Sequence, residues 1–278
     1  MRLSVRGETA LIFDDGSPVR AASAVAPFGD GWLIAQDDAT HAAWRRPGSI
    51  VPVRVLDQVE GLDVFSSAAG TKHLKPDFEA AFGVGEGVLL LGSGSTPARM
   101  RASLVTAGGF TVTDLSPLYH RLAAAFGVPL EHLNLEGACA AGDRMRWFHR
   151  GATTFCADVD LVGGLPAEIA GVRRYDLGHV GGVPLAVTDA VALDDGRVLV
   201  SAAAEDTPNP VDDGPVVGAA LALLDDHGVL DTVALPEQTK VEGLAVRATT
   251  AGGLRLLAVV DADDPVVPSR ELDLDVSW

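Results

Sequence analysis

The chain has 278 residues, of which 47% are hydrophobic, so it is long enough to bury a sizeable core. Its formal net charge of −17 is spread along the sequence and sets it against nucleic acid and anionic membrane surfaces as partners, because both are polyanionic. No apolar run reaches 18 residues and none opens the chain, so neither a membrane span nor a signal peptide is expected, and the expected location is cytoplasmic.

The two cysteines, Cys139 and Cys156, fit no metal-ligand spacing, and Cys139 sits in an apolar strand pattern. The informative feature is an internal repeat. Its clearest copy is Thr239-Lys240-Val241-Glu242-Gly243-Leu244, a short apolar strand with an acid near its start. Related stretches place Ser23, Glu79, Glu136, Asp189 and Glu242 at equivalent positions, at intervals of 56, 57, 53 and 53 residues. The arc from Glu242 through the C-terminus and on from Met1 to Ser23 is 59 residues. Five near-equal arcs close a circle, which a ring requires and a linear solenoid does not.

Taken in chain order, the apolar runs are strand-length and bounded by turn residues. The N-terminal run Arg2–Val5 is expected to pair beside Glu271–Val276. The first arc reads as Ser23–Ala26, Trp32–Gln36, a third strand around Ser49–Val55 and a fourth at Leu62–Ser66. The second reads as Glu79–Phe82, Val88–Leu91, Arg101–Val105 and Phe110–Asp114. Ser116 to Gly127 then carries a Ser cap, a Pro near the first turn and a closing Gly, the signature of a short helix with Leu118, Leu122 and Phe126 on one face. The third arc reads as Glu136–Ala140, Met145–Phe148, Phe155–Leu161 and Val172–Asp176. The fourth reads as Val187–Leu193, an Asp-Gly turn, Arg197–Ala202, Gly218–Leu224 and Asp231–Leu235. The fifth supplies Val241–Val246, Leu254–Val260 and Ser269–Val276, one strand short. Four antiparallel strands per repeat make the blade of a β-propeller. The expectation is an all-β fold, a single five-bladed propeller spanning residues 1–278, with the N-terminal strand completing the last blade and removing an exposed edge at the seam.

The first strand of each blade would line the central tunnel. Turns joining first and second strands are terse: Gly29-Asp30-Gly31, Gly83–Gly87, Ala141-Gly142-Asp143, Asp194-Asp195-Gly196 and Thr250–Gly253. The opposite face is chemically rich. Loops entering the first strands hold Lys72, His73, Lys75, Asp77, Glu131, His132, Asn134, Glu237, Gln238 and Lys240. Loops joining second and third strands hold Asp37, Asp38, His41, Ser93, Ser95, Arg99, His149, Arg150, Glu205, Asp206, Asn209, Asp261, Asp263 and Asp264. Function concentrates on loops carried by a rigid scaffold, so the site is expected at this mouth.

If the repeat is real, Ser23, Glu79, Glu136, Asp189 and Glu242 converge on the axis at one height. Crowded carboxylates raise one another's pKa or demand a cation. An oxygen-only donor set suits Ca²⁺ first and Mg²⁺ second, with either the carboxylates or the backbone carbonyls as ligands. The alternative is that backbone amides, Lys75 and Lys240 satisfy these acids without an ion.

The run Lys240-Val241-Glu242-Gly243-Leu244, with Asn134-Leu135-Glu136-Gly137 and Asp77-Phe78-Glu79-Ala80, resembles an uncharacterised family of bacterial propeller proteins over nearly the whole chain, a resemblance that implies no activity. More distantly the ring resembles the soluble calcium-activated nucleotidases, five-bladed propellers with axial calcium in which Ser and Glu recur at the first-strand position. Ser23, Glu79, Glu136 and Glu242 match that pattern and Asp189 departs from it. Six-bladed lactonases also hold axial calcium, but five arcs argue against them.

Three functions follow. The first is a metal-dependent hydrolase for a small anionic phosphate, lactone or ester at the tunnel mouth. Lys72, Lys75, Arg99, Arg150 and Lys240 would hold the anion, and His149 or Asp206, beside Glu136, would move the proton. The second is a non-catalytic binding or scaffold propeller with a structural ion. The third is a glycosidase using Glu79, Glu136, Asp189 and Glu242 as acid and base. Against it, only four tryptophans are available as sugar platforms and aromatics make up 5% of the chain. Oligomeric state is left open.

Overall fold

The computed structural model describes residues 1–207, 214–236, 239–261, 264 and 266–278. The chain opens with β1 (Arg2–Ala10). Blade one follows as β2 (Ala22–Phe28), β3 (Gly31–Gln36), β4 (His41–Arg46) and β5 (Ser49–Arg54). Blade two is β6 (Phe78–Val84), β7 (Gly87–Gly92), β8 (Arg101–Thr106) and β9 (Gly109–Asp114). Blade three is β10 (Leu135–Ala141), β11 (Arg144–His149), β12 (Thr154–Val162) and β13 (Leu165–Tyr175). A small hairpin, β14 (His179–Val180) with β15 (Val183–Pro184), precedes blade four. Blade four is β16 (Ala186–Ala192), β17 (Val198–Glu205), β18 (Val216–Leu224) and β19 (Val229–Ala234). Blade five is β20 (Gly243–Thr250), β21 (Gly253–Val260) and β22 (Arg270–Ser277), with β1 antiparallel to β22 as its fourth strand.

The five sheets form a ring. Each innermost strand touches the next, β2 to β6, β6 to β10, β10 to β16, β16 to β20, and β20 back to β2. This is the five-bladed propeller expected from the five arcs. Closure by β1 follows the expected pairing but is longer, from Arg2↔Ser277 to Ala10↔Arg270. Blade one differs from the sequence reading. Its third strand is His41–Arg46, and the run from Ser49 is its fourth. Leu62–Ser66 is no strand; within it Leu62 and Val64 make single bridges to Val59 and Ala39. The half-polar run His41–Arg46 carries weak strand character in sequence. It is held as a strand because Trp44 packs edge-on against Phe28, with ring centroids 5.3 Å apart.

The core lies in the seams between blades. Ala, Val and Leu side chains from facing sheets interdigitate there, as in the layer of Leu89, Leu91, Met145 and Trp147 between blades two and three. Helix α1 (Ser116–Phe126) caps that seam. Leu118, Tyr119, Leu122 and Phe126 are buried, Tyr119 meets Trp147 edge-on at 5.2 Å, and its hydroxyl donates to the Gly92 carbonyl at 2.6 Å. The expected Ser cap does not form: Leu115 stands at the N-cap without a side-chain bond, and Asp114, one residue earlier, accepts from the Ser116 amide through Oδ1 at 2.8 Å. Gly127 closes the helix in the left-handed region, φ 69°. No described helix is long and apolar enough to cross a membrane.

Candidate functional site

The tunnel mouth is built by a recurring backbone irregularity. Near the start of β2, β6, β10 and β16 the register slips by one residue, leaving Ser23, Glu79, Gly137 and Thr188 unpaired with the second strand. A bulge re-aims a side chain that a regular ladder would direct into the sheet packing. Ser23 donates to the Phe78 carbonyl of the next blade at 2.5 Å, and Thr188 donates to the Val241 carbonyl of its next blade at 2.5 Å. Thr188, not Asp189, is therefore the counterpart of Ser23. Asp189 sits one residue on, 2% exposed, with Oδ2 accepting from the Leu244 amide at 2.6 Å. It lies outside the axial well. No described residue of blade four lines that well.

Ser23, Glu79, Glu136 and Glu242 do line one narrow cavity of about 60 Å³, with Asp37, Asp77, Lys75, Arg99 and Lys240. Asp77 and Glu79, Asn134 and Glu136, Lys240 and Glu242 each stand two residues apart where the chain enters a first strand, and all six line the cavity. The Asn134 side-chain amide donates to Glu136 Oε1 at 2.8 Å, and Lys240 Nζ pairs with Glu242 Oε1 at 2.7 Å.

Two ionic clusters stand at the well, the second reaching beyond its lining to Arg150 and Glu205. In one, Lys75 bridges Asp37 and Asp77, the latter at 2.8 Å, and Arg99 meets the second Asp77 oxygen at 2.8 Å. Ser93 donates to the same carboxylate. In the other, Arg150 joins Glu136, at 2.9 Å, to Glu205, and Lys240 joins Glu205, at 2.8 Å, to Glu242. Counting Glu79, six carboxylates meet four cations, so the fully ionised cluster carries −2. Asp77 also holds φ at +55°, in the left-handed region that few residues other than Gly adopt. Its amide donates to the Asp37 carbonyl at 3.1 Å and its carbonyl accepts from Ser93 at 2.9 Å, which fixes that conformation.

Burial sets the acidities. It pushes Asp37 up to about 6 against the pull of Lys75, and Glu242 up to about 7 against Lys240. Glu79 is raised well above the usual value by burial and by the charges of Asp77 and Asp37. Burial also acts on Asp77, but Lys75 and Arg99 outweigh it and hold that carboxyl low. Burial works against the Lys75 charge, and Asp37, Asp77 and Glu79 together overcome it. Glu79 accepts no hydrogen bond from a described residue, and Glu136 Oε2 is buried without a partner. Asp37, Asp77 and Glu79 each offer a carboxylate oxygen, all within 4.8 Å of one another.

The other expected residues lie elsewhere. His149 is 3% exposed, stacked on Phe126 and near-parallel to Phe155, with Nδ1 at the Asn134 backbone. Burial pushes it down to about 4 and it does not line the well. Asp206 is exposed on a neighbouring depression of about 330 Å³ that also takes in Arg150 and Glu205. Lys72 is on the rim of the well, exposed. His41 opens β4 rather than sitting in a loop. Asn209, Glu237, Gln238 and Asp263 lie outside the described residues. Sequence reasoning placed Asp37, Asp77 and Glu205 at the mouth but gave them no ligand or bridging role; the two-residue offset of Asp77 from Glu79 is the signal that would have added Asp77.

No curated protein is significantly similar to the chain. Among solved structures it is similar to a luciferin-regenerating enzyme at 9% identity and TM-score 0.46, covering 98% of this chain and 96% of that one. It is also similar to an apocarotenoid oxygenase of Synechocystis, at 13% identity and TM-score 0.38, covering 98% of this chain and 67% of that one. A third is the N-terminal domain of Nup159, at 9% identity and TM-score 0.34, covering 99% and 95%. At these scores none carries an argument about this chain. A family model covers residues 71–265, the range that holds Lys75, Asp77, Glu79, Arg99, Glu136, Arg150, Glu205, Lys240 and Glu242, and by that match the chain belongs to DUF6910, a family of unknown function.

Proposed function

We propose that the protein binds a divalent cation, Ca²⁺ before Mg²⁺, in the well at the tunnel mouth and is a hydrolase for a small anionic phosphate, lactone or ester. The observation that carries this reading is the convergence of Asp37, Asp77 and Glu79 within 4.8 Å. Three carboxylates at that range repel one another unless a proton or a cation sits among them. The donors are all oxygens, which favours a hard cation. The residues fit on two further counts: the six carboxylates, Glu79 included, outnumber the four cations by two, and Glu136 Oε2 is buried with no donor among the described residues. A cavity of about 60 Å³ suits an ion with a few waters and lies below the roughly 300 Å³ at which organic ligands are usually enclosed.

In this reading Asp37, Asp77 and Glu79 hold the ion, which replaces the axial set expected from the repeat. When bound, the ion would polarise a phosphoryl or carbonyl oxygen and acidify a bound water. Glu242, pushed up to about 7, has the acidity to accept and return a proton near neutral pH. His149 and Asp206 are less suited, since one is sealed among aromatic rings and the other lies outside the well. A non-catalytic binding propeller with a structural ion is the second reading, favoured by the engagement of Lys75, Arg99, Arg150 and Lys240 in ion pairs. The glycosidase reading draws less support, because the well is too small for a sugar ring.

The test is metal content by mass spectrometry on protein purified without added metal, paired with melting curves with and without chelator. Near-stoichiometric calcium, a melting point lowered by chelator and loss of both in Asp77→Asn support the reading. A metal-free protein that neither binds added Ca²⁺ nor responds to chelator sinks it. A calcium-replete protein inert toward phosphate and carboxylic esters moves the conclusion to the structural ion.

A further inference from the structure

The chain has three lysines, Lys72, Lys75 and Lys240, and all three stand at the tunnel mouth, while its arginines are spread over every blade. Lys75, half-buried, and Lys240, buried, are both engaged in ion pairs. Lys72, in a single 3-10 turn (Lys72–Leu74), is exposed, and no carboxylate of a described residue lies within salt-bridge distance. It lines both the well and a separate depression of about 370 Å³ beside it. The two cavities share Asp37 and Lys75, so the depression opens onto the carboxylate cluster. Its volume falls in the range of small-molecule sites. Its walls are Ser66, Ser67 and Ala68 on one side and Arg20 with Asp38, paired at 3.0 Å, on the other.

We propose that this depression is the substrate's own subsite and that it takes a small, hydroxylated organic molecule carrying a single negative charge. Its anionic group pairs with Lys72 at the rim, and its reacting group faces the ion at Asp37, Asp77 and Glu79; to that extent the proposal rests on the cation reading above. Charge selects the class. One ammonium with no carboxylate partner among the described residues meets walls that also carry Asp37, Asp38, Asp261 and Asp264. A di- or triphosphate would set its further charges against those carboxylates, whereas a monoanion satisfies Lys72 and stops there. Hydroxyl groups on the ligand find acceptors in Asp38 and partners in Ser66 and Ser67. A lysine on a flexible stem, rather than a planar arginine fork, suits a single charge approached from one side.

The experiment is thermal denaturation of the full chain titrated with lactate, glycerate and pyrophosphate, in calcium-free buffer and again with Ca²⁺, for wild type and Lys72→Gln. A ligand that binds the native state raises the melting point in proportion to occupancy. The expected result is a saturable rise with lactate or glycerate. In Lys72→Gln the half-saturating concentration should increase roughly tenfold or more, as the loss of a charge-assisted hydrogen bond implies, with the unliganded melting point unchanged. Equal responses in the two proteins, no response to either monoanion, or a stronger response to pyrophosphate overturns the proposal. The calcium-free titration keeps the two readings apart. A Lys72-dependent monoanion response there, with no calcium effect on melting, upholds the subsite while the cation reading fails.

Discussion

Arg150 offers the sharpest test of how the mouth is held together. It is 8% exposed and its guanidinium joins Glu136 of blade three, at 2.9 Å, to Glu205 of blade four. Replacing it with Met keeps most of the volume and removes the charge. Breaking a buried ion pair from one side costs about 3–5 kcal/mol, since the carboxylates stay desolvated without their counter-charge. Here each keeps one other partner, Glu136 the Asn134 amide at 2.8 Å and Glu205 the Lys240 ammonium at 2.8 Å, so the lower end applies. About 3 kcal/mol corresponds to a fall in melting temperature of roughly 6–12 °C for a chain of this size. The cost is also pH-dependent. Burial already raises Glu136 against the pull of Arg150, and removing Arg150 raises it further. A carboxyl whose folded pKa lies above its unfolded value costs stability as pH rises between the two, and that cost vanishes as pH falls to the unfolded value. Circular-dichroism melts of wild type and Arg150→Met at pH 8 and pH 5 should therefore show a gap that narrows at pH 5. Arg150→Met with Glu136→Gln should recover part of it at pH 8. A variant as stable as wild type, or a gap independent of pH, would refute the argument that Arg150 neutralises buried charge.

Two further outcomes follow from the blade seams. Asp189 has a buried Oδ1 without a partner among the described residues, and burial raises its carboxyl well above the usual 3.8. Its contribution to stability is full below that value and declines as pH rises, so Asp189→Asn should match wild type near pH 4. At pH 8 it should be more stable by at least about 1 kcal/mol in urea melts; a variant less stable at pH 8 would show that the ionised carboxylate is accommodated. Gly137 holds φ +65°, and a Cβ there would stand 2.8 Å from the Asp189 Cα. Gly137→Ala should cost about 3 kcal/mol through backbone strain and overpacking between blades three and four, and a loss below roughly 1 kcal/mol would place the two strands farther apart than described.

The fold was legible because a propeller repeats one local problem five times. Each blade must alternate apolar strand with tight turn, and near-equal intervals between the starting acids report the angular period of the ring. The arithmetic of the two chain ends likewise determined that β1 completes blade five. Where the local signal was weak the reading slipped: His41–Arg46 is half-polar and passed for loop, and the tight hairpin at 179–184 was missed. At the site, sequence determined that Glu79, Glu136 and Glu242 share the axis and that Lys75, Arg99 and Lys240 gather around them. It misplaced Asp189 by one residue: the bulge residue of β16, equivalent to Ser23 and Glu79, is Thr188, and an adjacent acid in the sequence is the more conspicuous match to the repeat. Which cation meets which acid was decided only by the tertiary structure. Lys75 lies between Asp37 and Asp77, and Arg150 between Glu136 and Glu205, because the ring brings the ends of neighbouring blades within hydrogen-bond reach at the tunnel mouth. Sequence separations such as the 55 residues between Arg150 and Glu205 hold no record of that approach. Charge balance is a property of the closed ring: one strand carries an acid and its partner, but the uncompensated −2 exists only once all five blades have met.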